Sequence, residues 1–188
     1  ASAFQKSMRG SDPDAAVYYL TRMLKGGDDP MYLARRLVRF AAEDVGLADP
    51  NALQVAIAGK ETYHFLGSPE GELALVEVAI YLATAPKSNS LYDAYRRAQK
   101  AVDETGALAV PLFIRNAPTS LMKSIGYGKD YLYDHNSDEH FIPQDYLPEK
   151  IKDEKFYEAG KFGYEREIKK RLDWWKKIKE KGEMSDQD

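Results

Sequence analysis

The chain has 188 residues, of which 44% are hydrophobic and 30% charged, and its formal net charge is −3. This composition is typical of one folded domain with a substantial core, and it excludes a wholly disordered chain. The slight excess of acidic residues argues against a nucleic-acid-binding surface over the whole molecule, although a local basic patch remains open. The absence of cysteine excludes disulfides, thiol catalysis and thiolate metal sites.

Helix-start signals recur along the first half of the chain. Four pairs place a good N-cap residue before a proline at the first helical position, namely Asp12-Pro13, Asp29-Pro30, Asp49-Pro50 and Ser68-Pro69. Glycines follow the ends of the predicted helices. The short turns between consecutive helices make those helices antiparallel. We therefore predict four helices over 13–25, 30–45, 50–66 and 69–85, a fifth over 90–105 and a short one over 119–125.

The stretch from Met31 to Pro50 is apolar around most of a helical circumference, so we expect it to be packed on several sides. The segment from Leu73 to Ala83 predicts a second buried helix for the same reason. Asp44 falls on the apolar arc, where a carboxylate must find a cation or backbone N–H groups. It either closes the helix end onto a turn or serves as a catalytic acid. We favour the first, because no second carboxylate or histidine has a matching spacing.

After Gly106 the helical pattern stops. We predict a helical core over 1–128 and an irregular segment rich in aromatic and proline residues over 129–163, called the arm here, which packs on that core. We further predict an amphipathic terminal helix over 164–182 and a disordered tail over 183–188, in a single domain overall.

Adjacent tryptophans lie in the predicted terminal helix. Trp174 and Trp175 point about 100° apart on a helix, so one neighbouring body cannot bury both. This favours contact with another subunit or domain.

Signals for enzymatic chemistry are weak. The run from Gly126 to Lys129 lacks the GxxxxGK[ST] pattern of a nucleotide-binding loop, and no serine lies in a GxSxG elbow. A cluster of imidazoles and carboxylates could bind a metal and support a metal-dependent enzyme, through Asp134, His135, Asp138 and His140. Its spacing matches neither HExxH nor a helical face, so we predict no catalytic, cofactor-binding or metal-binding residue.

Basic groups near aromatic residues are the remaining candidates for binding. A surface of this kind could contact DNA phosphates, and its cations are Lys6, Arg9, Arg115, Lys123 and Lys129. The alternative is an ordinary solvated surface. No apolar run reaches the ~18–20 residues of a membrane span and no signal peptide opens the chain, so we expect a cytoplasmic protein without membrane contact. The start at Ala1 rather than Met suggests a processed product or an excised fragment.

Long ungapped segments carry a family resemblance, which covers the chain from about Ala3 to Trp175. They are KSMRGSDPDAAVYYLTRML, DPMYLARRLVRFAAEDVGLADP, PEGELAL, APKSNSLYDAY and VPLFIRNAPTSLMKSIGYGKDYLY. These segments resemble the C-terminal domain of the RarA/MgsA group of AAA+ ATPases, whose eukaryotic relative is the Werner helicase-interacting protein. The resemblance implies an all-α antiparallel helical bundle similar to the clamp-loader C-terminal oligomerisation domain.

The resemblance also implies a function. In this family the region assembles the ATPase into a homotetramer, and the whole protein acts at stalled replication forks as a DNA-dependent ATPase. ATP and Mg²⁺ belong to a core that would precede Ala1, and the implied partners are DNA and single-stranded-DNA-binding protein. If the source is bacterial, a nucleoid association follows.

No catalytic residue of the family falls in this region, so we expect no enzymatic activity of the fragment itself. Residues that match the motifs, together with the two tryptophans, are structural or interface candidates: Arg35, Arg36, Arg39, Asp44, Arg115, Asn116, Trp174 and Trp175. We expect a non-catalytic oligomerisation domain. The alternative is a module that contacts DNA or a partner protein, and a third possibility is the independent metal-dependent enzyme.

Overall fold

The computed structural model describes the backbone of residues 1–185 and the side chains of residues 1–181. Its regular structure within that range is entirely helical, which confirms the all-α prediction. The eight α-helices are α1 Ser2–Arg9, α2 Pro13–Lys25, α3 Pro30–Phe40, α4 Ala52–Leu66, α5 Glu72–Thr84, α6 Ser90–Thr105, α7 Ser120–Ser124 and α8 Glu165–Ser185. None of these helices is both long and apolar enough to cross a membrane.

The predicted N-caps form at the starts of two helices. The Asp12 carboxylate accepts a hydrogen bond from the Ala15 amide at 2.9 Å, and Asp29 accepts one from Met31 at 2.9 Å. Both satisfy N–H groups that have no partner inside the helix. The start of α5 is later than predicted, because the turn before it closes with a bond of 2.6 Å from the Gly71 amide to the Gly67 carbonyl.

The helix predicted over 30–45 changes its winding before it ends. After α3 the chain continues as a π-helical turn, Ala41–Val45, and then as a 3₁₀ turn, Gly46–Ala48. A π-helical turn widens the helix by one residue and re-aims the side chains that follow it. Short 3₁₀ turns also occur in the second half of the chain, at Leu112–Ile114, Asp134–Asn136 and Glu149–Ile151.

The backbone divides into two compact units. The first unit consists of residues 1–94 and 157–168, and the second consists of residues 95–156 and the chain from Lys169 onward. The sequence-based boundaries at residues 128 and 163 remain predictions. The terminal helix α8 continues through Ser185, so the first three residues of the predicted tail are helical. The rest of that tail, residues 186–188, lies outside the described residues.

The main hydrophobic core lies in the first unit. Helix α5 contacts α1, α2, α3 and α4, while α3 contacts α4 and α5, so both predicted central helices are buried. The largest fully buried apolar side chains come from four helices, α1, α2, α3 and α5, and from the π-helical turn: Phe4, Met8, Leu20, Leu33, Leu37, Phe40, Val45, Leu75, Val78 and Leu82.

Sequence analysis missed the first helix of this core. Helix α1 has only two fully buried side chains, Phe4 and Met8, which are spaced four residues apart. One such pair is too short to establish a helical period by itself. Burial comes from α2 and α5, which lie against α1 in the fold.

Helices α4 and α5 approach closely because α4 contains a glycine at the crossing. A Cβ atom on Gly59 would lie 2.3 Å from Cγ2 of Val78. No real Cβ contact is that short, so only glycine permits this separation of the two helices.

The chain returns to the first unit through residues 157–168. The Tyr164 amide donates to the carbonyl of Ala48 at 2.8 Å. Gly163, with φ +56, lies so close that a Cβ there would be 2.0 Å from the same carbonyl oxygen. Glu165 is fully buried at the start of α8, where its carboxylate accepts hydrogen bonds from the hydroxyls of Ser90 and Tyr157. The beginning of α8 is therefore anchored in the first unit.

Candidate functional site

The arginines of α3 are engaged within the first unit. Arg35 pairs with Asp29 at 3.6 Å, and Arg39 pairs with Glu43 at 2.6 Å, where the hydrogen bond to Glu43 raises the pKa of the arginine. Arg36 is half-buried, with Nη2 donating to Oε1 of Gln5 at 2.7 Å. Its guanidinium also lies over the Tyr32 ring, 5.8 Å from the centroid. These contacts give the predicted interface arginines local structural roles.

Asp44 is paired with a cation, as its position on the apolar arc of the predicted helix requires. Nε of Arg9 donates to Oδ1 at 2.5 Å and Nη2 donates to Oδ2 at 3.2 Å, and the hydrogen bond raises the pKa of Arg9. The Asp44 carbonyl also accepts from the Ser88 amide at 2.8 Å. This arrangement fits the first interpretation of Asp44, in which it closes the helix end, and it gives Arg9 a partner inside the protein.

Lys87 lies in the same region and caps a helix. Its Nζ donates to the carbonyls of Ala83 at 3.0 Å and Ala85 at 2.6 Å, at the C-terminal end of α5. Burial lowers the pKa of Lys87, while the nearby Asp44 carboxylate acts in the opposite direction. The carbonyl contacts make this lysine a helix cap.

A set of large apolar side chains is exposed on α4 and α5. Phe65 is 87% exposed and Leu73 is 74% exposed, and the whole set is Leu53, Ile57, Phe65, Leu66, Leu73 and Ile80. Leu53 and Ile57 are one helical turn apart on α4, and Leu73 and Ile80 are two turns apart on α5, so each pair shares a face. We call these six residues the apolar surface.

The second unit contains an aromatic cavity of about 480 Å³. It is lined by Phe113, Ile114, Arg115, Asn116, Ala117, Gly128, Tyr131 and Tyr146. The Phe113 ring stacks against Tyr131 with centroids 6.5 Å apart and packs against Tyr146 at 6.0 Å. The backbone holds two sides of the cavity together, since the Gly128 amide donates to the Leu112 carbonyl at 2.9 Å.

Arg115 is fixed in orientation beside this cavity. Nε donates to the Val110 carbonyl at 2.6 Å, and Nη1 donates to the Tyr127 hydroxyl at 3.2 Å. The guanidinium also lies 5.0 Å from the centroid of the Tyr127 ring, a cation–π distance. Of the predicted DNA-contact cations, Arg115, Lys123 and Lys129 fall in the second unit, while Lys6 and Arg9 fall in the first.

Sequence analysis missed two walls of the cavity, Phe113 and Tyr146. Phe113 lies in an irregular stretch with no helical period, and Tyr146 follows it by 33 residues in the chain. A local spacing rule cannot relate residues so far apart. The only signal was the general richness of this region in aromatic side chains.

The two tryptophans are both partly exposed on α8. The Trp175 ring stacks on Phe141 with centroids 6.0 Å apart, whereas Trp174 is 46% exposed. Nearby, Lys179 forms an ion pair with Asp145. The second unit thus holds one tryptophan against its own residues and leaves much of the other accessible.

The loop that suggested metal binding is folded mainly on itself. Oδ1 of Asp134 accepts from the Ile142 amide at 3.0 Å, and Oδ2 lies 3.4 Å from the Tyr146 hydroxyl. The Nδ1 atoms of His135 and His140 are 3.1 Å apart. Within the described part of the chain, no group of three or more His, Cys, Asp or Glu side chains is arranged to hold a metal ion.

These features define the class of the protein as an all-helical domain with an exposed apolar surface and a separate aromatic cavity. Comparison with known families goes further, because the model of the MgsA AAA+ ATPase C-terminal family matches residues 10–176. The chain belongs to this family, which confirms the resemblance seen in its sequence segments.

Several relatives with high sequence identity have names that refer to recombination. The replication-associated recombination protein A of Coxiella burnetii is 51% identical over 180 residues, 95% of this chain and 41% of that protein. The Escherichia coli K12 protein of the same name is 44% identical over 174 residues, 92% of this chain and 39% of that protein. ATPase WRNIP1 of Dictyostelium discoideum is 48% identical over 158 residues, which are 84% of this chain and 18% of that protein. The chain therefore spans about two-fifths of the length of the bacterial relatives.

Proposed function

We propose that this chain is the non-catalytic oligomerisation domain of an AAA+ ATPase that acts in replication-associated recombination, and that it joins four copies. ATP and Mg²⁺ would be handled by the ATPase region of the whole protein. The family match and the names of the relatives support the cellular role. The apolar surface supports the assembly role.

The apolar surface is the observation that carries the proposal. Helix α5 is apolar around most of its circumference, yet Leu73 and Ile80 on α5 and four large apolar side chains on α4 remain exposed. Burying an exposed leucine, isoleucine or phenylalanine is worth about 1.5–3 kcal/mol. Six such residues on two contacting helices therefore supply a driving force for association, and exposed apolar surface of this kind is typical of interaction sites.

Sedimentation velocity of the 188-residue chain between ~1 and ~100 µM tests the proposal. We expect a species of about four times the 21.3 kDa chain mass. Leu73→Glu combined with Ile80→Glu should shift the mass to that of a monomer, since charges in an interface core are strongly unfavourable. Val102→Glu, on an exposed position of α6, is the matched control and should leave the assembly intact. A wild-type monomer at the highest concentration would contradict the proposal.

A second function, contact with DNA, is favoured by the second unit. Arg115 lines the aromatic cavity, and Lys123 and Lys129 are exposed in the same stretch of the chain. Binding through such groups releases counterions, so the affinity for single-stranded DNA should fall steeply with salt. A salt titration of DNA binding tests this, and the absence of binding at low salt would dismiss it. We further propose that the chain associates with a single-stranded-DNA-binding protein.

A further inference from the structure

The aromatic cavity has the size and wall chemistry of a binding site for a planar ring. Its volume of about 480 Å³ falls within the range of about 300–1,000 Å³ that is usual for small-molecule sites. Tyr131 and Tyr146 both line the cavity while remaining 44% and 45% exposed, so part of each side chain is accessible. Phe113 also lines the cavity and packs against both tyrosines, so the three rings form an aromatic surface against which another ring can stack.

Polar groups at the cavity can recognise the edge of such a ring. Asn116 is exposed and lines the cavity, and its amide carries both donors and an acceptor. The bonds of Arg115 to Val110 and Tyr127 hold its guanidinium in one place without removing its charge. A preorganised cation beside an aromatic platform costs little entropy when a ligand binds.

The local charge favours an anionic ligand. Residues 110–131 contain three cationic side chains, Arg115, Lys123 and Lys129, against the single acidic Asp130. In the adjoining loop Asp145 pairs with Lys179, while Oδ2 of Asp134 lies 3.4 Å from the hydroxyl of the cavity-lining Tyr146. The chain as a whole is acidic, so this cationic segment is a local feature.

We propose that the aromatic cavity stacks one base of a single-stranded nucleic acid, with the flanking phosphates near Lys123 and Lys129. Aromatic platforms beside cationic groups are the usual means of binding single strands. A duplex would not fit this description, because its bases are paired and stacked on one another. The proposal rests on the second candidate function and gives it a specific site.

Fluorescence anisotropy with a labelled 12-nucleotide oligothymidylate at ~50 mM salt tests the site on the 188-residue chain. Tyr131→Ala should weaken binding about 5- to 150-fold, the usual effect of removing one stacked aromatic residue. Tyr131→Phe keeps the ring and should bind like the wild type. Tyr95→Ala removes a more exposed tyrosine of the same unit outside the cavity, and should also have no effect.

An abasic oligomer with the same phosphates separates stacking from charge attraction, and we expect it to bind clearly more weakly. Equal binding of the two oligomers, or an unchanged affinity of Tyr131→Ala, would overturn the proposal. Thymidine monophosphate that competes as well as the oligomer would assign the cavity to free nucleotides instead. A proline-rich peptide that displaces the oligomer from the wild type at equal affinity would assign it to peptides.

Light scattering of the Tyr131→Ala variant keeps this proposal distinct from oligomerisation. We expect its mass to equal that of the wild type, since Tyr131 lies outside the apolar surface. If the wild-type chain assembles but does not bind the oligomer, the base site is wrong while the assembly function stands. If the chain is monomeric but binds the oligomer through Tyr131, the assembly function is wrong while the base site stands.

Discussion

The guanidinium of Arg9 donates two hydrogen bonds to the carboxylate of Asp44, although 35 residues separate the two in the chain. The pair joins α1 to the π-helical turn that follows α3. The Asp44 side chain is only 13% exposed, so its carboxylate relies on this hydrogen-bonding partner more than a surface carboxylate would.

Arg9→Ala should therefore lower the free energy of unfolding by about 1–3 kcal/mol, because it leaves a mostly buried carboxylate without its main cation. Urea denaturation measures the loss. Lys6→Ala, an exposed position of the same helix, is the control and should change stability by less than about 0.5 kcal/mol. Equal stabilities of the two variants would show that the pair is too weakly desolvated to matter.

Glu165→Ala should be destabilising, because it removes a buried carboxylate that is favourably placed at a helix start. The substitution leaves the hydroxyls of Ser90 and Tyr157 without their buried acceptor, at a cost of about 1–3 kcal/mol. Hydrogen exchange should show the loss first over residues 157–168. Glu70→Ala, on an exposed turn, serves as the comparison. Unchanged protection of that segment would mean that other contacts hold it.

Alkaline pH should weaken the same region. Burial and the hydrogen bond to Glu165 raise the pKa of Tyr157 to about 12, whereas an unfolded tyrosine ionises near 10. Between these values the unfolded chain loses a proton that the folded chain keeps. The stability from the neutral phenol is thus complete below about pH 10 and is lost as the pH rises through 12.

Tyr157→Phe should accordingly flatten the fall in stability between about pH 10 and 12, as measured by urea denaturation at stepped pH. The pKa of Tyr81 is also raised to about 12 by its hydrogen bond to Asp49, so Tyr81→Phe should remove a further part of the fall in stability at alkaline pH. Tyr95→Phe changes an exposed ring and should follow the wild type. A Tyr157→Phe profile as steep as that of the wild type would contradict the expected linkage.

Gly59→Ala should destabilise the contact between α4 and α5 by about 1–3 kcal/mol, since the new methyl group overlaps Val78. Combining it with Val78→Ala makes room for that group. The double variant should lose less stability than the two single variants together. Strict additivity in thermal or urea unfolding would show that the helices separate to accept the methyl group.

Local signals in the sequence were sufficient to predict most of the helices. Helices α2 and α6 have the predicted bounds, residues 13–25 and 90–105, because N-caps, prolines and glycines act within a few residues of where they stand. The buried arc of α3 and the need of Asp44 for a cation also follow from spacing along one helix. Sequence pattern could not find α1, which offers one buried pair and no period.

The sequence by itself determined the helical class, the family and the demand for a partner at Asp44. Tertiary structure alone decided that Arg9 meets that demand, that Glu165 is buried, and that Phe113 and Tyr146 line one cavity. The physical reason is the range of the interactions: helix propensity and capping act over about four residues, whereas these contacts join residues brought together by packing and turns. The fold therefore selected partners that no spacing rule along the chain could name.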